Sequence, residues 1–437
     1  MKKTERLKNS SGWVGVILIK KTALGNGVTL LTEDIPHVRS VAVGVWVNVG
    51  SRDEDDRVAG ISHFVEHLMF KGTENRTAKQ IAEALDAVGG QLNAFTTKEY
   101  TCYYAKVLDE HFELALDVLS DMLFNSRYDV NDMDRERNVI LEEIKMYEDT
   151  PDELVHDIFA NTIWQVHPLG RPIIGRAEVI KEMNRDSILD YLGKYYVPGN
   201  IVVTIAGNLQ HDNVAEIINR VFGGLKGTPL PRLLESPVPK KEITCRGKEI
   251  EQVHLCVGTP GLPLDHSQIY VIQLVNTILG GGLSSRLFQE IREQRGLVYS
   301  VYSYHSSYHD AGLFCVYAGL SKENAEPALE LIFREIKDIQ KNGVTDQELR
   351  RAKDQLKGNL LLSLESVNTR MSRLGKSQLY LGKVVSPEEI VQKIEKVTAE
   401  EIVILAAEKL NPNNFALASV GPWDDSGCLE KTVGKLI

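Results

Sequence analysis

The clearest pattern along the chain is the alternation of apolar residues with polar or small ones over residues 39–49, which is typical of a β-strand. A polar turn follows, and in residues 61–70 the apolar side chains recur at helical spacing. The patterns then predict helix, strand, helix, helix and strand, at residues 77–88, 91–104, 111–123, 132–147 and 196–207. The first half of the chain therefore mixes alternating strands with long helices.

The second half repeats the first at an offset near 214 residues. Residues 198–200 (Pro-Gly-Asn) lie opposite residues 412–414 (Pro-Asn-Asn), and Gly207 lies opposite Gly421. The same order of elements at one shift indicates an internal duplication. We therefore predict an α+β fold of two duplicated domains, each about 200 residues long, with a mainly antiparallel sheet and helices packed on one face.

A segment rich in proline and glycine separates the two halves. Residues 227–244 contain five prolines and glycines among charged residues, a composition typical of an interdomain linker. We therefore predict an N-terminal extension over 1–22 and a first domain over 23–226. The linker leads into a second domain over 245–437, which lacks the histidine motif described below.

Composition narrows the function classes. The chain has 437 residues and a net charge of −10, without a block rich in lysine and arginine, which argues against nucleic acid as a partner. No apolar run approaches the roughly 18–20 residues of a membrane span, and the apolar stretch at 13–19 is short for a signal peptide. The five cysteines are scattered and form no C-x-x-C spacing, which favours a reducing compartment. We therefore expect a cytoplasmic protein.

The helix predicted at residues 61–70 carries a candidate metal motif. His63 and His67 are four residues apart, so their imidazoles project from the same side of consecutive turns. Two neutral imidazoles at this spacing can bind one Zn²⁺ ion. Glu66 lies near the same side and can accept a proton from a water molecule that zinc has acidified. The order H-x-x-E-H is a metallopeptidase signature.

A catalytic zinc ion usually has three protein ligands, so a third ligand is needed. The acidic helix at 132–147 offers Glu136, Glu142 and Glu143. Glu136 and Glu143 are seven residues apart and share one face, whereas Glu142 points about 100° away from Glu143. Spacing alone does not choose among these carboxylates, and a solvated acidic helix would show the same pattern.

A family resemblance narrows that choice. An H-x-x-E-H motif followed by a glutamate 76 residues after the second histidine is similar to the pitrilysin-like inverzincins, the M16 metallopeptidases. The chain most resembles the branch of the mitochondrial processing peptidases, especially its bacterial members. The other segments that carry the resemblance are 89–96, 137–143, 167–175 and 284–299.

The resemblance implies a zinc site of known composition. His63, His67 and Glu143 would be the ligands of one Zn²⁺ ion per chain, and Glu66 would be the general base. Glu136 would be a carboxylate that orients a ligand histidine or tunes the site. The implied activity is that of a zinc metalloendopeptidase, which is a hydrolase.

The resemblance also implies residues that hold the substrate. Asn93, Ala94 and Phe95 match the edge strand of the family's active site, to which an extended peptide would add through main-chain hydrogen bonds. Arg292 and Tyr299 match a pair from the second half that would hold the substrate and donate hydrogen bonds to the developing oxyanion. Judged without the family, Arg292 would be a surface charge and Tyr299 a core aromatic residue.

The resemblance further implies an assembly. Members enclose a chamber with four such repeats, and this chain has two, so we expect a homodimer that closes as a clamshell. Two alternatives stay open: a non-catalytic homologue that binds peptides or builds a complex, and a zinc hydrolase of non-peptide substrates. The physiological substrate and the cleavage preference do not follow from the sequence.

Overall fold

The computed structural model describes residues 18–423, together with Leu429 and Gly434. Residues 1–17 of the extension predicted over 1–22, and Cys428, lie outside the described residues, whereas residues 18–22 belong to the first strand of a sheet. The α-helices of the described part are α1 (Ile61–Met69), α2 (Ala78–Asp86), α3 (Phe112–Asn125), α4 (Val130–Glu148), α5 (Pro151–Ile163), α6 (Ala177–Glu182), α7 (Arg185–Tyr195), α8 (His211–Phe222), α9 (Ile269–Gly280), α10 (Ala325–Asn342), α11 (Asp346–Ser363), α12 (Val367–Leu381), α13 (Pro387–Lys396) and α14 (Ala399–Lys409). None of these helices is both long enough and apolar enough to span a membrane.

The first sheet is built from the first half of the chain. Its strands are β1 (Leu18–Ala23), β2 (Thr29–Asp34), β3 (Ser40–Val47), β4 (Gln91–Thr96), β5 (Thr101–Leu108) and β6 (Ile201–Gly207). Their order across the sheet is β1-β2-β6-β3-β5-β4, and the neighbours are antiparallel except β2 and β6. The strand predicted from the alternation at 39–49 is β3, a central strand with a neighbour on each side.

The second sheet is built from the second half of the chain and has the same topology. Its strands are β7 (Ile243–Gly247), β8 (Val253–Pro260), β9 (Val298–Ser307), β10 (Gly312–Leu320) and β11 (Ala416–Gly421). Their order is β7-β11-β8-β10-β9, again antiparallel except for one pair, β7 and β11. This order reproduces β2-β6-β3-β5-β4 of the first sheet. The predicted α+β class and its duplication are therefore confirmed.

The compact units of the chain are discontinuous in sequence. Within the described part, one unit comprises residues up to 142, 172–232 and 363–384, and the other comprises 143–171, 233–362 and the residues from 385 onward. The division falls inside the unbroken helix α4. Helices α5 and α12 correspond to each other in the repeat. Helix α5 comes from the first half of the chain but belongs to the unit of the second sheet, and α12 comes from the second half but belongs to the unit of the first sheet. The contiguous domains 23–226 and 245–437 therefore stay a prediction, which rests on the sequence repeat.

Helix α12 covers one face of the first sheet. Its buried residues Met371 and Leu374 belong to one apolar cluster with Ala42 and Trp46 of β3. The Trp46 indole N–H donates a hydrogen bond of 2.7 Å to the hydroxyl of Thr204 in β6, which satisfies its only polar group. The other face of the same strand contributes Val43 and Val45, which are fully buried.

A substitution in α12 tests this packing. A Cβ added at Gly375 would overlap the indole of Trp46. Although Ala is preferred over Gly in a helix by about 1 kcal/mol, we expect Gly375→Ala to lower the free energy of unfolding by about 1–3 kcal/mol because the core is overpacked. The midpoint of urea unfolding measures this change.

The matched control is Gly358→Ala in α11. A Cβ at Gly358 meets no atom within 4 Å, so only the helix preference acts there. We expect that variant to unfold at the same or a higher urea concentration than the wild type. Equal midpoints for the two variants would contradict the packing of α12 against Trp46.

Candidate metal centre

The start of helix α1 is fixed by a glycine and a buried carboxylate. Gly60 precedes the helix with φ of +98°, a left-handed conformation that favours glycine. The Glu54 carboxylate accepts hydrogen bonds from the N–H groups of Gly60 (2.7 Å) and Ser62 (2.8 Å). A carboxylate at this position satisfies unpaired donors and complements the helix dipole. The apolar side chains Phe64 and Leu68 are buried and fix the rotation of the helix.

The structure brings the two histidines of α1 side by side. The ring centroids of His63 and His67 are 4.6 Å apart, with an angle of 63° between the ring planes. Burial, and secondarily the neighbouring His67, lowers the pKa of His63 to about 4. His63 is therefore a neutral imidazole at neutral pH, which is the form that binds a metal ion.

Helix α4 places a carboxylate next to both imidazoles. Each of His63, His67 and Glu143 offers one ligand atom, and the three atoms lie within 4.8 Å of one another. Ligand atoms around one tetrahedral zinc ion lie roughly 3.3–3.6 Å apart, since Zn–N and Zn–O distances are about 2.0–2.2 Å. Two imidazoles and one carboxylate are a known donor set of catalytic zinc. These residues therefore fit a zinc ion after a small contraction.

The three candidate carboxylates of α4 differ in burial and in position. Glu142, the neighbour of Glu143, is solvent-exposed, whereas Glu143 is half-buried beside the histidines. Glu136 lies two turns earlier on the face of Glu143 and is buried. Of the three candidate carboxylates, Glu143 is the one grouped with the histidines, and Glu136 lies behind them.

Glu136 holds His67 in one orientation. One carboxylate oxygen of Glu136 lies 3.2 Å from His67 Nδ1, and the other lies 2.8 Å from the ammonium of Lys71. A carboxylate only accepts, so His67 Nδ1 carries the proton and Nε2 keeps the lone pair. This arrangement is typical of histidines that bind metal ions.

Glu66 is held by the edge strand of the first sheet. The hydroxyl of Thr96 in β4 donates a hydrogen bond to Glu66 Oε2. Sequence reasoning missed the roles of Thr96 and Lys71. Lys71 lies four residues after His67, so helical spacing could have indicated it. The only sequence feature that could have indicated the role of Thr96 is its place directly after Phe95.

The predicted substrate strand is β4 at the end of the sheet. Within the described part it pairs with β5 alone, so no strand lies along its other edge. Asn93 is exposed, and its side chain accepts a hydrogen bond of 2.8 Å from the N–H of Ala94. The Phe95 ring packs among aromatic residues, 5.9 Å from Trp46 and 6.1 Å from Tyr100 between centroids. The Phe95 side chain is therefore half-buried in an aromatic cluster.

The second unit brings together the other two predicted residues. Arg292 lies in a short π-helical segment, Phe288–Glu293, and Tyr299 lies in β9. The guanidinium carbon of Arg292 is 5.7 Å from the centroid of the Tyr299 ring and 4.8 Å from that of Phe288. The Tyr299 side chain is 75% exposed, so it is not the core aromatic residue that a strand position alone would favour.

Two family models match the chain. The model described as insulinase, peptidase family M16, matches residues 29–177, which include His63, His67 and Glu143. The model described as the peptidase M16 inactive domain matches residues 182–356. The two matches together span residues 29–356, and the histidine motif lies in the first of them.

Several bacterial proteins are similar over nearly the whole chain. A protein of Bacillus subtilis named an uncharacterized zinc protease is 46% identical over 405 residues, covering 93% of this chain and 98% of that protein. A protein of Streptomyces coelicolor with the same description is 41% identical and covers 94% of this chain and 91% of that protein. Both relatives are named zinc proteases.

Solved structures share the fold at lower sequence identity. A peptidase M16 inactive domain from Pseudomonas fluorescens superposes with a TM-score of 0.87 at 23% identity, covering 93% of this chain and 98% of that one. A protease from Helicobacter pylori gives a TM-score of 0.86 at 22% identity, covering 92% and 99%. Together with the family models and the near full-length relatives, these matches show that the chain belongs to the M16 peptidase family.

Proposed function

We propose that this protein is a zinc-dependent endopeptidase that hydrolyses peptide bonds in extended peptides or unfolded segments, in the manner of a processing peptidase. The observation that carries the proposal is the grouping of His63, His67 and Glu143 within 4.8 Å, with Glu66 on the same helix as the two histidines. The relatives named zinc proteases support the choice of metal and of reaction class.

The proposed centre contains one zinc ion per chain, with His63, His67 and Glu143 as its ligands. When bound, zinc acts as a Lewis acid that polarises the scissile carbonyl and lowers the pKa of water. Glu136 keeps the Nδ1 proton on His67 and thereby directs its other nitrogen to the ion. Lys71 balances the charge of the buried Glu136 carboxylate.

Glu66 is the proposed general base. It accepts a proton from the attacking water and then transfers it to the leaving amine. The hydrogen bond from Thr96 fixes the position of the Glu66 carboxylate. Because Thr96 ends β4, the same strand that would hold the peptide also positions the base.

The proposed peptide site is the open edge of β4. An extended peptide would add to Asn93, Ala94 and Phe95 through main-chain hydrogen bonds, which give affinity without reading side chains. Arg292 and Tyr299 are the proposed donors that hold the substrate and stabilise the oxyanion. The exposed Tyr299 hydroxyl and the guanidinium stacked near it support this role.

We also propose a cytoplasmic homodimer in which two chains form a closing chamber. None of the four cysteines in the described part, Cys102, Cys245, Cys256 and Cys315, forms a disulfide, which supports a reducing compartment. A chamber would admit short or unfolded peptides and exclude folded proteins. A light-scattering mass equal to that of one chain at working concentration would contradict the dimer.

The second candidate is a non-catalytic homologue that binds peptides or builds a complex. The family model described as an inactive domain gives this alternative its support. That match covers residues 182–356, however, and the metal residues lie in 29–177, which the other model matches. The grouped histidines and glutamate favour the enzyme.

A peptide assay with metal control tests the proposal. We expect the purified protein to cleave an internally quenched peptide, to lose this activity in a chelator and to regain it with added zinc. Cut sites mapped on a mixed peptide library would then give the cleavage preference. Peptide binding without hydrolysis, in protein that contains zinc, would support the non-catalytic alternative instead.

A further inference from the structure

A second group of metal-binding side chains lies in the unit of the second sheet. His156 of α5, Cys256 of β8 and Cys315 of β10 each offer one ligand atom, and the three atoms lie within 4.8 Å of one another. Both cysteines are fully buried, and His156 is half-buried. We call these three residues the thiol–imidazole cluster. It is separate in sequence and in composition from the centre formed by His63, His67 and Glu143.

The register of β8 against β10 and the packing of helix α5 on this sheet produce the cluster. In the antiparallel pair of β8 and β10, Cys256 lies opposite Tyr317 and Cys315 lies opposite Gly258. The two cysteines are therefore diagonal neighbours on one face of the sheet. Helix α5 packs on that face, because its residues share an apolar cluster with both cysteines. His156 is thus placed above two thiols that are far from it in sequence.

The corresponding place in the first sheet has no such group. Thr204 of β6 corresponds to Ala418 of β11 in the repeat. Ala418 lies opposite Cys256, and Thr204 lies opposite Gly44, so Gly44 occupies the position of Cys256. Cys102 occupies the position of Cys315, and it lies opposite Trp46.

Ordinary apolar core fills the space around these positions in the first unit. A Cβ at Gly44 would overlap the sulfur of Met371, a residue of α12, and the Trp46 side chain packs in the same cluster. The second unit has Gly258 at the position of Trp46, and it places an imidazole and two thiols on the equivalent face. The repeat therefore shows that the fold itself does not require this polar group.

We propose that the thiol–imidazole cluster is a second metal site, for a thiophilic divalent cation such as Zn²⁺. Two cysteine sulfurs and one imidazole nitrogen form a donor set that zinc prefers. Around one tetrahedral zinc ion, sulfur and nitrogen ligands lie roughly 3.6–3.8 Å apart, because Zn–S is about 2.3 Å. The observed 3.4 Å between Cys256 Sγ and His156 Nδ1 is already close to that separation.

The position of the Cys256 sulfur indicates which imidazole nitrogen would bind the ion. His156 Nε2 lies 3.1 Å from the hydroxyl of Tyr302, whereas Nδ1 faces the sulfur of Cys256. A proton on Nε2 donated to Tyr302 leaves the Nδ1 lone pair for the ion. The Tyr304 hydroxyl lies 2.8 Å from Nδ1. Once Nδ1 binds the ion, this hydroxyl would donate its hydrogen bond to a thiolate sulfur instead.

Charge balance selects a divalent ion. Binding releases the two thiol protons, and two thiolates, a neutral imidazole and a divalent cation sum to zero charge. A monovalent ion with the same ligands would leave one net negative charge in an apolar interior, which is costly. The buried position of Cys256 and Cys315 therefore favours the divalent cation.

Cobalt(II) substitution tests the proposal, with cobalt alone as the probe. Because the thiols are buried, the protein is produced in reduced form from cobalt-supplemented, zinc-depleted cultures, so that the ion can enter during folding. Co²⁺ bound to thiolate gives an intense near-ultraviolet charge-transfer absorption. The centre of His63, His67 and Glu143 contains no sulfur ligand and does not contribute to it. The readout is therefore independent of peptidase activity and of the proposed function.

Three cysteine variants give the decisive comparison. We expect about one equivalent of thiolate-bound Co²⁺ per wild-type chain, and we expect the absorption to be strongly reduced in Cys256→Ser and in Cys315→Ser, because each variant keeps at most one thiolate ligand. The matched control is Cys102→Ser, a buried cysteine at the equivalent place of the other unit, which should keep the full absorption. Circular dichroism verifies that each variant is folded.

A fourth variant covers the case in which a buried serine prevents folding. His156 is only half-buried, so His156→Ala should fold, and its charge-transfer absorption should weaken and shift as one ligand is lost. The proposal is overturned if folded, reduced wild-type protein shows no charge-transfer absorption. It is also overturned if the absorption survives undiminished in Cys256→Ser, or if thiol titration shows that Cys256 and Cys315 form a disulfide in the isolated protein.

Discussion

Glu66→Gln is expected to lose peptide hydrolysis while keeping its zinc. The amide has the same shape as the carboxylate, and its carbonyl oxygen can still accept the hydrogen bond from the Thr96 hydroxyl. It cannot take up the proton of the attacking water, and general-base catalysis contributes about 10²–10⁴-fold to a rate. We therefore expect kcat on a quenched peptide to fall by at least about 100-fold, with zinc content by atomic emission equal to that of the wild type.

Two further variants show that the effect belongs to Glu66 itself. Glu142→Gln removes an exposed carboxylate from α4 and should leave kcat unchanged. Thr96→Val removes the hydroxyl that positions Glu66 but keeps the base, so the loss of kcat should be smaller than in Glu66→Gln. If Glu66→Gln cleaved peptides at the wild-type rate, the base would have to be another residue.

Glu143→Ala is expected to lose the zinc ion, whereas Glu142→Ala is expected to keep it. The two glutamates are neighbours in α4, but only Glu143 is grouped with His63 and His67. Glu143→Ala removes one of three protein ligands, so zinc affinity should fall by more than the 10–100-fold typical for loss of an outer partner. Competition with a fluorescent chelator measures both affinities on protein of equal helix content.

Glu136 provides an intermediate case for the same measurement. Its carboxylate contacts His67 Nδ1 and is not itself grouped with the ligands, so Glu136→Gln should reduce zinc affinity by about 10–100-fold. The expected order of affinity loss is therefore Glu143, then Glu136, then Glu142. Loss of zinc from Glu142→Ala, or equal affinities for the Glu142 and Glu143 variants, would exclude Glu143 as the third ligand.

The local sequence pattern indicated two of the three proposed zinc ligands. The spacing of His63 and His67 determines that both imidazoles leave α1 on one side, because helical geometry is local. The proposed third ligand, Glu143, lies 76 residues after His67 on another helix. Spacing within α4 separated Glu142 from Glu143 by direction, but it could not show which direction faces the histidines. Only the packing of α4 beside α1 groups Glu143 with the two histidines, which is the arrangement that the family resemblance implies.

The sequence also determined the duplicated α+β class, since alternation, helical periodicity and one offset are visible in the residues themselves. It did not determine which sheet receives α5 and α12. Periodicity defines the apolar face of a helix but not the sheet against which that face packs. Side-chain complementarity, such as Gly375 against Trp46, contributes to that selection. Strand register and the exchanged α5 likewise decided that His156 meets Cys256 and Cys315, because contacts between residues so distant in the chain exist only in the folded structure.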